Sequence, residues 1–464
     1  MWHQKCPEKK KVIMKNLMIS ASGIRGIIGE TLGPELALKI AYAFSNFLAE
    51  GPVVLGGDTR TSYHLLFSAV SAGLISKGRT VIDIGQVPTP TAQQMISHHH
   101  AAGAIVITAS HNPVIWNGLK LMNSSGSFLE EEEFQHFLHE FEKESHDTLK
   151  PWDKLGHVIK EPKAISYHIQ KILSVLPVQG LIQSANLRVL VDANHGTAAI
   201  ADPLLFEALG VRYTLLGKTP DGRFSHTPEP NKENLSELID AMSSGQYDIG
   251  FAQDPDADRL VIVDEKGRFI GEDYSLAFCM DYLLSKEEKN NHPVVVNLST
   301  SYIVSDIAKK YDRQVHYTRI GETNVTKGIK QHQAPVGGEG NGGVIYPKIG
   351  WGRDSLVGIV CALAFLAENK KTVSQIVSTY PQYTLVREKK QLEKREDIQH
   401  YLNHIQEVFQ GHPMDTQDGI KVLLDRSWLH VRASNTEPII RFFAEAPTEK
   451  EAKLLIEKVH DKLS

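Results

Sequence analysis

The stretch AIVITASHNP, residues 104–113, begins as a short apolar run rich in β-branched residues and ends in a polar turn. The run is typical of a buried strand, and Asn112-Pro113 turns the chain away from it. Ser110 is therefore expected on a loop at the end of a strand, where α/β proteins usually place their chemistry. A serine there can act as an activated nucleophile or carry a phosphoryl group, although taken alone it is more often an ordinary turn serine.

The same pattern, a buried strand that ends in a polar turn, recurs along the chain. It is found at residues 53–58, 189–194 and 294–297, and a helix-length amphipathic stretch follows each. With 464 residues, the chain is long enough for three or four domains. We expect three similar α/β domains and a last segment of different pattern that acts as a mobile lid. The predicted domains are residues 1–155, 156–263, 264–375 and 376–464.

An acidic cluster, DPDADR at residues 254–259, lies far downstream of the serine. Asp254, Asp256 and Asp258 stand at alternate positions of a tight, proline-constrained loop, where their carboxylates can converge on one Mg²⁺ ion. The alternative is a solvated acidic turn between two strands. An EF-hand does not fit, because the required Gly and distal Glu are not at the right offsets. Together with Ser110, the cluster indicates phosphoryl transfer on a metal.

Two further loops carry groups suited to phosphates and sugars. RASNTEP at residues 432–438, with Arg441 shortly after, combines two guanidinium groups with hydroxyl and amide donors, which suits a phosphate. GGEGNGG at residues 337–343 lets the backbone approach a ligand, while Glu339 and Asn341 can bind vicinal hydroxyls. It lacks the Lys-Ser/Thr of a P-loop, so a Walker nucleotide site is rejected. In isolation, either loop could be structural.

Composition excludes several other classes of protein. The net charge of −5 offers no basic face, so we expect no nucleic-acid partner. No apolar run approaches the ~20 residues that span a bilayer, so we expect no membrane partner. The three cysteines, Cys6, Cys279 and Cys361, have no metal-ligand spacing and no even count for a disulfide framework, which favours a reducing cytoplasm.

Taken in order, these segments resemble the α-D-phosphohexomutases, which include phosphoglucomutase, phosphomannomutase and phosphoglucosamine mutase. SGIRG at residues 22–26 is similar to the opening motif of that family, and NGLK at residues 117–120 is similar to the segment after its phosphoserine loop. The matching motifs run from residue 22 to residue 441 and so cover nearly the whole chain. The resemblance implies an α/β fold of four domains, three similar mixed α/β domains and a smaller α+β C-terminal domain, around a central cleft.

The resemblance also implies a mechanism and a set of site residues. Ser110 would give its phosphoryl group to a sugar monophosphate and recover one from the reoriented bisphosphate, with a hexose 1,6-bisphosphate as activator. Mg²⁺ would be held by the phosphoserine and the three aspartates. The catalytic residues implied are Ser110, Arg25, Lys120, His111 and Arg259. The substrate-binding residues implied are Glu339, Asn341, Arg432, Ser434, Asn435, Thr436 and Arg441.

Departures from the better-known patterns of the family occur in the sugar loop and in the metal loop. Many relatives have Ser where this chain has Asn341, and often His where it has Gly343; in the metal loop, Pro255 and Ala257 replace glycines of some relatives, which should stiffen it. We expect a phosphoglucosamine mutase, with a dual-specificity phosphomannomutase/phosphoglucomutase as the alternative. A metal-dependent sugar phosphatase and a silent sugar-phosphate sensor are the competing classes. The expected partners are small sugar phosphates, and the chain is expected to be a monomer or homodimer.

Overall fold

A computed structural model describes residues 16–143, 149–392, 397–433 and 439–460. The described residues form four sheets, each drawn from a consecutive part of the chain. The first three sheets mix parallel and antiparallel strands and have helices packed on them, whereas the fourth is antiparallel throughout. The predicted fold, three mixed α/β domains and a smaller α+β domain, is confirmed.

The first sheet has seven strands in the order β1-β2-β6-β5-β3-β4-β7. Its central strand β5 is the predicted apolar run and is buried throughout. Strand β6 lies between β2 and β5, and this pairing brings Arg25 on β2 and Lys120 on β6 to the same region as the loop after β5. The elements are β1 Leu17–Ser20, β2 Gly23–Ile27, α1 Pro34–Phe47, β3 Val53–Gly57, α2 Tyr63–Ser76, β4 Val81–Gln86, α3 Thr89–His98, β5 Gly103–Ile107, β6 Trp116–Asn123, α4 Glu131–Glu142 and β7 Val158–Lys160.

The second sheet has the order β11-β10-β8-β9. Strands β10 and β11 form an antiparallel hairpin in which Gln253 pairs with Leu260, so the hairpin loop is the acidic cluster. The elements are α5 Ala164–Val175, α6 Gln179–Ala185, β8 Arg188–Asp192, α7 Ala198–Leu209, β9 Arg212–Leu216, α8 Ser236–Met242, β10 Ile249–Gln253 and β11 Leu260–Val263, with short 3₁₀ turns at Trp152–Lys154 and Lys232–Asn234.

The third sheet has the order β13-β12-β14-β15. Strands β14 and β15 pair Glu339 with Gly343, so the glycine-rich segment is a tight hairpin. The elements are α9 Glu272–Lys286, β12 Val294–Asn297, α10 Tyr302–Lys310, β13 Val315–Thr318, α11 Glu322–His332, β14 Gly337–Glu339, β15 Gly343–Ile345, α12 Ser355–Asn369 and α13 Val373–Val377. Helix α12 is mostly apolar and almost wholly buried, as expected of a helix that is covered on all sides.

The fourth sheet has the order β16-β20-β19-β18-β17. It has an apolar core of its own, to which Phe442, Ile405 and Ile456 contribute, while one continuous core runs through the parts of the chain that carry the first three sheets. The elements are β16 Thr384–Gln391, α14 Asp397–Val408, β17 Met414–Asp415, β18 Ile420–Leu424, β19 Ser427–Ala433, β20 Ile439–Ala446 and α15 Glu449–His460.

The exact limits of the four domains stay a prediction. Strand β7, which follows the predicted boundary at residue 155, pairs with β4 and therefore belongs to the first sheet. The mobility expected of the last domain also stays a prediction. Within the described part of the chain, no helix is both long and apolar enough to cross a membrane.

Candidate active site

Ser110 lies in the loop after β5, as predicted, and faces the acidic loop of the second sheet. Its side chain is buried, and its Oγ donates a hydrogen bond of 2.9 Å to Asp254 Oδ2. The Nδ1 atom of His111 lies 3.3 Å from the same Oγ. Ser110 has a φ of +50°, a left-handed conformation that a non-glycine residue rarely adopts. Neighbouring groups must therefore hold the loop in this conformation.

Arg60, which was not predicted from the sequence to be a site residue, fixes the loop that carries Ser110. Its guanidinium group is buried and donates hydrogen bonds to the carbonyl oxygens of Ser110 at 2.7 Å, Asn112 at 2.6 Å and Pro113 at 2.9 Å. Asp58 accepts from Arg60 Nε at 3.1 Å and from Thr108 Oγ1 at 2.6 Å. Arg60 is thus an internal brace that fixes the backbone on which the serine is carried.

Replacing Arg60 with alanine should slow turnover by about 10²-fold through misplacement of Ser110, with a smaller change in KM. It also leaves the buried carboxylate of Asp58 without its charged partner, which costs about 3–5 kcal/mol of stability. Steady-state kinetics and thermal unfolding measure the two effects. Arg188→Ala, on an ion pair with Asp248 in which both side chains are exposed, is the matched control and should change neither. Unchanged kcat and Tm for Arg60→Ala would contradict the role of the brace.

The three aspartates converge as predicted. Each offers a carboxylate oxygen within 4.8 Å of the others, and all three side chains are buried. Burial and the charges of Asp258 and Asp256 raise the pKa of Asp254 well above its ordinary value. Asp256 Oδ1 and Asp258 Oδ1 have no hydrogen-bond partner, which is rare for buried carboxylates. Three clustered carboxylates with two unpartnered oxygens, beside a serine hydroxyl, fit a hard divalent cation such as Mg²⁺.

Two cationic side chains lie close to the aspartates. Lys120 Nζ donates to Asp256 Oδ2 at 2.6 Å and to Asp258 Oδ2 at 3.1 Å, and Arg259 Nε lies about 4 Å from Asp254 and Asp258. Burial lowers the pKa of Lys120, but Asp256 and Asp258 raise it more, so the amine stays protonated. Thr89, not predicted from the sequence, donates to Asp256 Oδ2 at 2.5 Å.

Arg25 and His111 complete this end of the site. Arg25 donates to Asn112 Oδ1 at 3.1 Å, so it contacts the loop that carries Ser110. The charge of Arg259 and burial hold the pKa of His111 well below its ordinary value. His111 is therefore neutral near pH 7, the state in which an imidazole can accept a proton.

Ala257 occupies the tip of the acidic loop with a φ of +49° and is fully buried. A left-handed conformation costs an L-residue other than glycine about 1–2 kcal/mol. Its carbonyl oxygen accepts a hydrogen bond of 2.6 Å from Ser355 Oγ, which holds the tip in place. This contact helps to hold Ala257 in its left-handed conformation, whereas the stiffening of the loop expected from the sequence stays a prediction.

A cleft of about 440 Å³ extends from Arg259 past the glycine-rich hairpin to the fourth sheet, a size suited to a small molecule. Glu339 and Asn341 line it. The carboxylate of Glu339 accepts from Asn297 Nδ2 at 2.8 Å and from Arg353 at 2.9 Å, so its position is fixed. Asn341 Oδ1 is buried with no hydrogen-bond partner and is free to accept one from a ligand.

A row of cations crosses the fourth sheet at the far end of the cleft. Arg441 pairs with Arg432 on one side and with Lys389 on the other, so all three point to one face. Arg387, two residues from Lys389, lines the cleft with Arg432 and Arg441. Like charges on neighbouring strands destabilise a sheet unless an anion lies between them. The row fits a phosphate group; the predicted residues Ser434, Asn435 and Thr436 lie outside the described residues.

Comparison with known sequences gives a consistent result over the whole chain. Family models for the phosphoglucomutase/phosphomannomutase α/β/α domains I, II and III match residues 17–148, 166–267 and 271–383, and the model for the C-terminal domain matches residues 384–462. The chain is 37% identical to a phosphoglucomutase/phosphomannomutase of Thermococcus kodakarensis over 94% of this chain and 96% of the relative. It is 34% identical to a probable phosphoglucosamine mutase of Methanopyrus kandleri, over 95% and 96%.

Solved structures show the same architecture. A putative phosphomannomutase from Thermus thermophilus superposes with a TM-score of 0.83 at 21% identity, covering 97% of this chain and all of that one. An N-acetylphosphoglucosamine mutase from Aspergillus fumigatus, solved with GlcNAc-6P and magnesium, has a TM-score of 0.60 at 14% identity, covering 97% and 96%. The chain therefore belongs to the phosphoglucomutase/phosphomannomutase family of α-D-phosphohexomutases, and it is an intramolecular phosphotransferase of the isomerase class.

Proposed function

We propose that Ser110 carries the phosphoryl group that this mutase exchanges with its sugar phosphate. The observation that carries the proposal is the hydrogen bond of 2.9 Å from Ser110 Oγ to Asp254 within the aspartate cluster. The aspartates and the phosphoserine would hold Mg²⁺, which offsets the charge of the transferred group. Lys120 and Arg25 stabilise charge around that group, and neutral His111 can take the proton of the attacking hydroxyl.

The rest of the cleft would bind and orient the sugar phosphate. Asn341 and Glu339 would hydrogen-bond to sugar hydroxyls. The row of cations, which consists of Lys389, Arg441 and Arg432, would bind the phosphate that is not reacting. Binding energy at this remote end orients the reacting hydroxyl towards Ser110. A bisphosphorylated sugar carries one phosphate at each end of the molecule. It can therefore reorient within the cleft and return either phosphoryl group to Ser110. A hexose 1,6-bisphosphate would thereby load the enzyme.

We infer that the preferred sugar is glucosamine phosphate, interconverted between the 6-phosphate and the 1-phosphate. Glu229, Glu233 and Glu272 line the cleft beside Glu339 and Asn341. A sugar ammonium group is stabilised by carboxylates, whereas a neutral hexose gains little from them. The name of the Methanopyrus kandleri relative agrees with this choice. A phosphomannomutase/phosphoglucomutase of dual specificity is the second candidate, favoured by the name of the 37% identical Thermococcus kodakarensis relative.

The test is kcat/KM for the 1-phosphates of glucosamine, mannose and glucose, with Mg²⁺ and glucose 1,6-bisphosphate, by detection of each 6-phosphate product. We expect at least about a tenfold preference for glucosamine, equivalent to about 1.4 kcal/mol. Equal or higher rates on mannose and glucose would assign dual specificity instead. Stoichiometric release of inorganic phosphate without a 6-phosphate product would indicate a sugar phosphatase, and Ser110→Ala provides the blank.

A further inference from the structure

Arg353 lies beneath the cleft and contacts three carboxylates from three different segments. Its Nη2 donates to Asp258 Oδ2 at 2.7 Å, its Nη1 donates to Glu339 Oε2 at 2.9 Å, and its Nε lies 2.9 Å from Glu322 Oε2. Arg353 is buried, so these ion pairs are weakly screened. One guanidinium group therefore joins the loop of the aspartates to the carboxylate of the glycine-rich hairpin.

The space for Arg353 exists because residue 343 is glycine. A Cβ atom at position 343 would lie 2.2 Å from Arg353 Cδ and 2.7 Å from its Cγ. Gly343 does not have a positive φ, so the obstacle to a side chain is space and not backbone strain. The stem of Arg353 fills the volume that a side chain at position 343 would need.

The residues after Arg353 are also fixed against the aspartate loop. Ser355 Oγ donates to the carbonyl of Ala257 at 2.6 Å and accepts from Gln253 Nε2 at 2.8 Å. Asp354 caps helix α12 and pairs with His168 at 2.8 Å. The backbone next to Arg353 is therefore held in place. The Arg353 guanidinium group can fix the separation between the carboxylates of Asp258 and Glu339.

We propose that Arg353 is a positioning residue that links the metal-binding loop to the sugar-binding hairpin and partly neutralises the negative charge of the aspartates at the metal site. The inference rests on the proposed function. Arg353 holds Glu339 for the sugar, which favours substrate binding. Its positive charge on Asp258 also opposes a divalent cation at the other oxygen of that carboxylate. Removing Arg353 must therefore act on the sugar and on the metal in opposite directions.

The first test measures binding of Mg²⁺ alone to the full-length protein by titration calorimetry, together with steady-state kinetics. Arg353→Ala should bind Mg²⁺ about tenfold more tightly while KM for the sugar phosphate rises about tenfold. Arg353→Lys keeps the charge but not the fork, so Mg²⁺ affinity should stay near wild type while KM still rises. A residue that merely supports the fold would weaken both. Loss of Mg²⁺ affinity in Arg353→Ala, or an unchanged KM in Arg353→Lys, would overturn the proposal.

The second test uses the volume that Arg353 and a side chain at position 343 would both need. Gly343→His alone should lower kcat/KM about 10²-fold, because its side chain displaces Arg353. In the double variant with Arg353→Ala most of the volume is free, since of the Arg353 side chain only Cβ remains, 3.0 Å from a Cβ at position 343. Its kcat/KM should recover at least about tenfold relative to Gly343→His. Set against the roughly tenfold loss expected for Arg353→Ala alone, this recovery is a coupling of about 2.7 kcal/mol. Strictly additive losses would overturn the proposal. If wild-type protein turned over no hexose phosphate, the proposed function would fail, whereas the Mg²⁺ titrations would still decide the effect of Arg353 on the metal.

Discussion

Ser110→Ala is expected to lower mutase turnover by about 10⁴-fold or more, as the loss of a nucleophile does in other enzymes. The variant lacks the oxygen that accepts and returns the phosphoryl group, and no other hydroxyl among the described residues is hydrogen-bonded to Asp254. Sugar-phosphate affinity should change little, because the cation row and Asn341 are untouched. Coupled-assay kinetics and calorimetry with the sugar phosphate measure the two quantities separately.

Ser68→Ala is the matched control for this variant. Ser68 is exposed on α2, in the same predicted domain, and donates only to the carbonyl of His64 within its own helix. The control should keep wild-type turnover. Ser110→Ala with more than a small fraction of wild-type turnover would contradict the role of phosphoryl carrier.

Asp256→Asn is expected to lower kcat/KM by about 10³-fold and to weaken Mg²⁺ binding, since a metal contributes several kcal/mol to stabilising the transferred charge. Asp256 Oδ2 already accepts from Lys120 and Thr89, and Oδ1 is the unpartnered oxygen available to a cation. The amide keeps the shape but removes the charge that Lys120 and Mg²⁺ share.

The exposed residue Asp240 on α8 supplies the control, and Asp240→Asn should leave Mg²⁺ affinity and turnover at wild-type values. Titration with Mg²⁺ alone distinguishes metal binding from catalysis. Undiminished Mg²⁺ affinity in Asp256→Asn would show that the cation binds elsewhere.

The parts of the site that the sequence predicts are those in which chemistry and local structure coincide. Ser110 follows a strand whose apolar run is visible in the sequence, and Asp254, Asp256 and Asp258 share one short hairpin loop. Each prediction needs only a strand pattern and a turn. The division into α/β domains follows from the same repeated signal.

Other residues gain their roles only from contacts distant in sequence. Arg60 braces carbonyl oxygens about 50 residues away, and Arg353 meets Asp258 across 95 residues. In the sequence each is one arginine in a polar stretch. Lys389 and Arg387 lie in a segment rich in Lys and Glu, whose alternation is the one local signal that could have placed them on a face of a strand. Their alignment with Arg441 depends on strand register, which the sequence of β16 does not fix.

The central claim, that Ser110 carries the phosphoryl group, is tested most directly by locating that group on the protein. Wild-type protein would be incubated with glucose 1,6-bisphosphate labelled with ³²P in the presence of Mg²⁺, and the label would be mapped by peptide mass spectrometry. We predict label on the peptide that contains Ser110, no label in Ser110→Ala, and loss of the label from wild-type protein when unlabelled glucosamine 6-phosphate is added. Label on another residue, or label that the hexose phosphate does not remove, would contradict it.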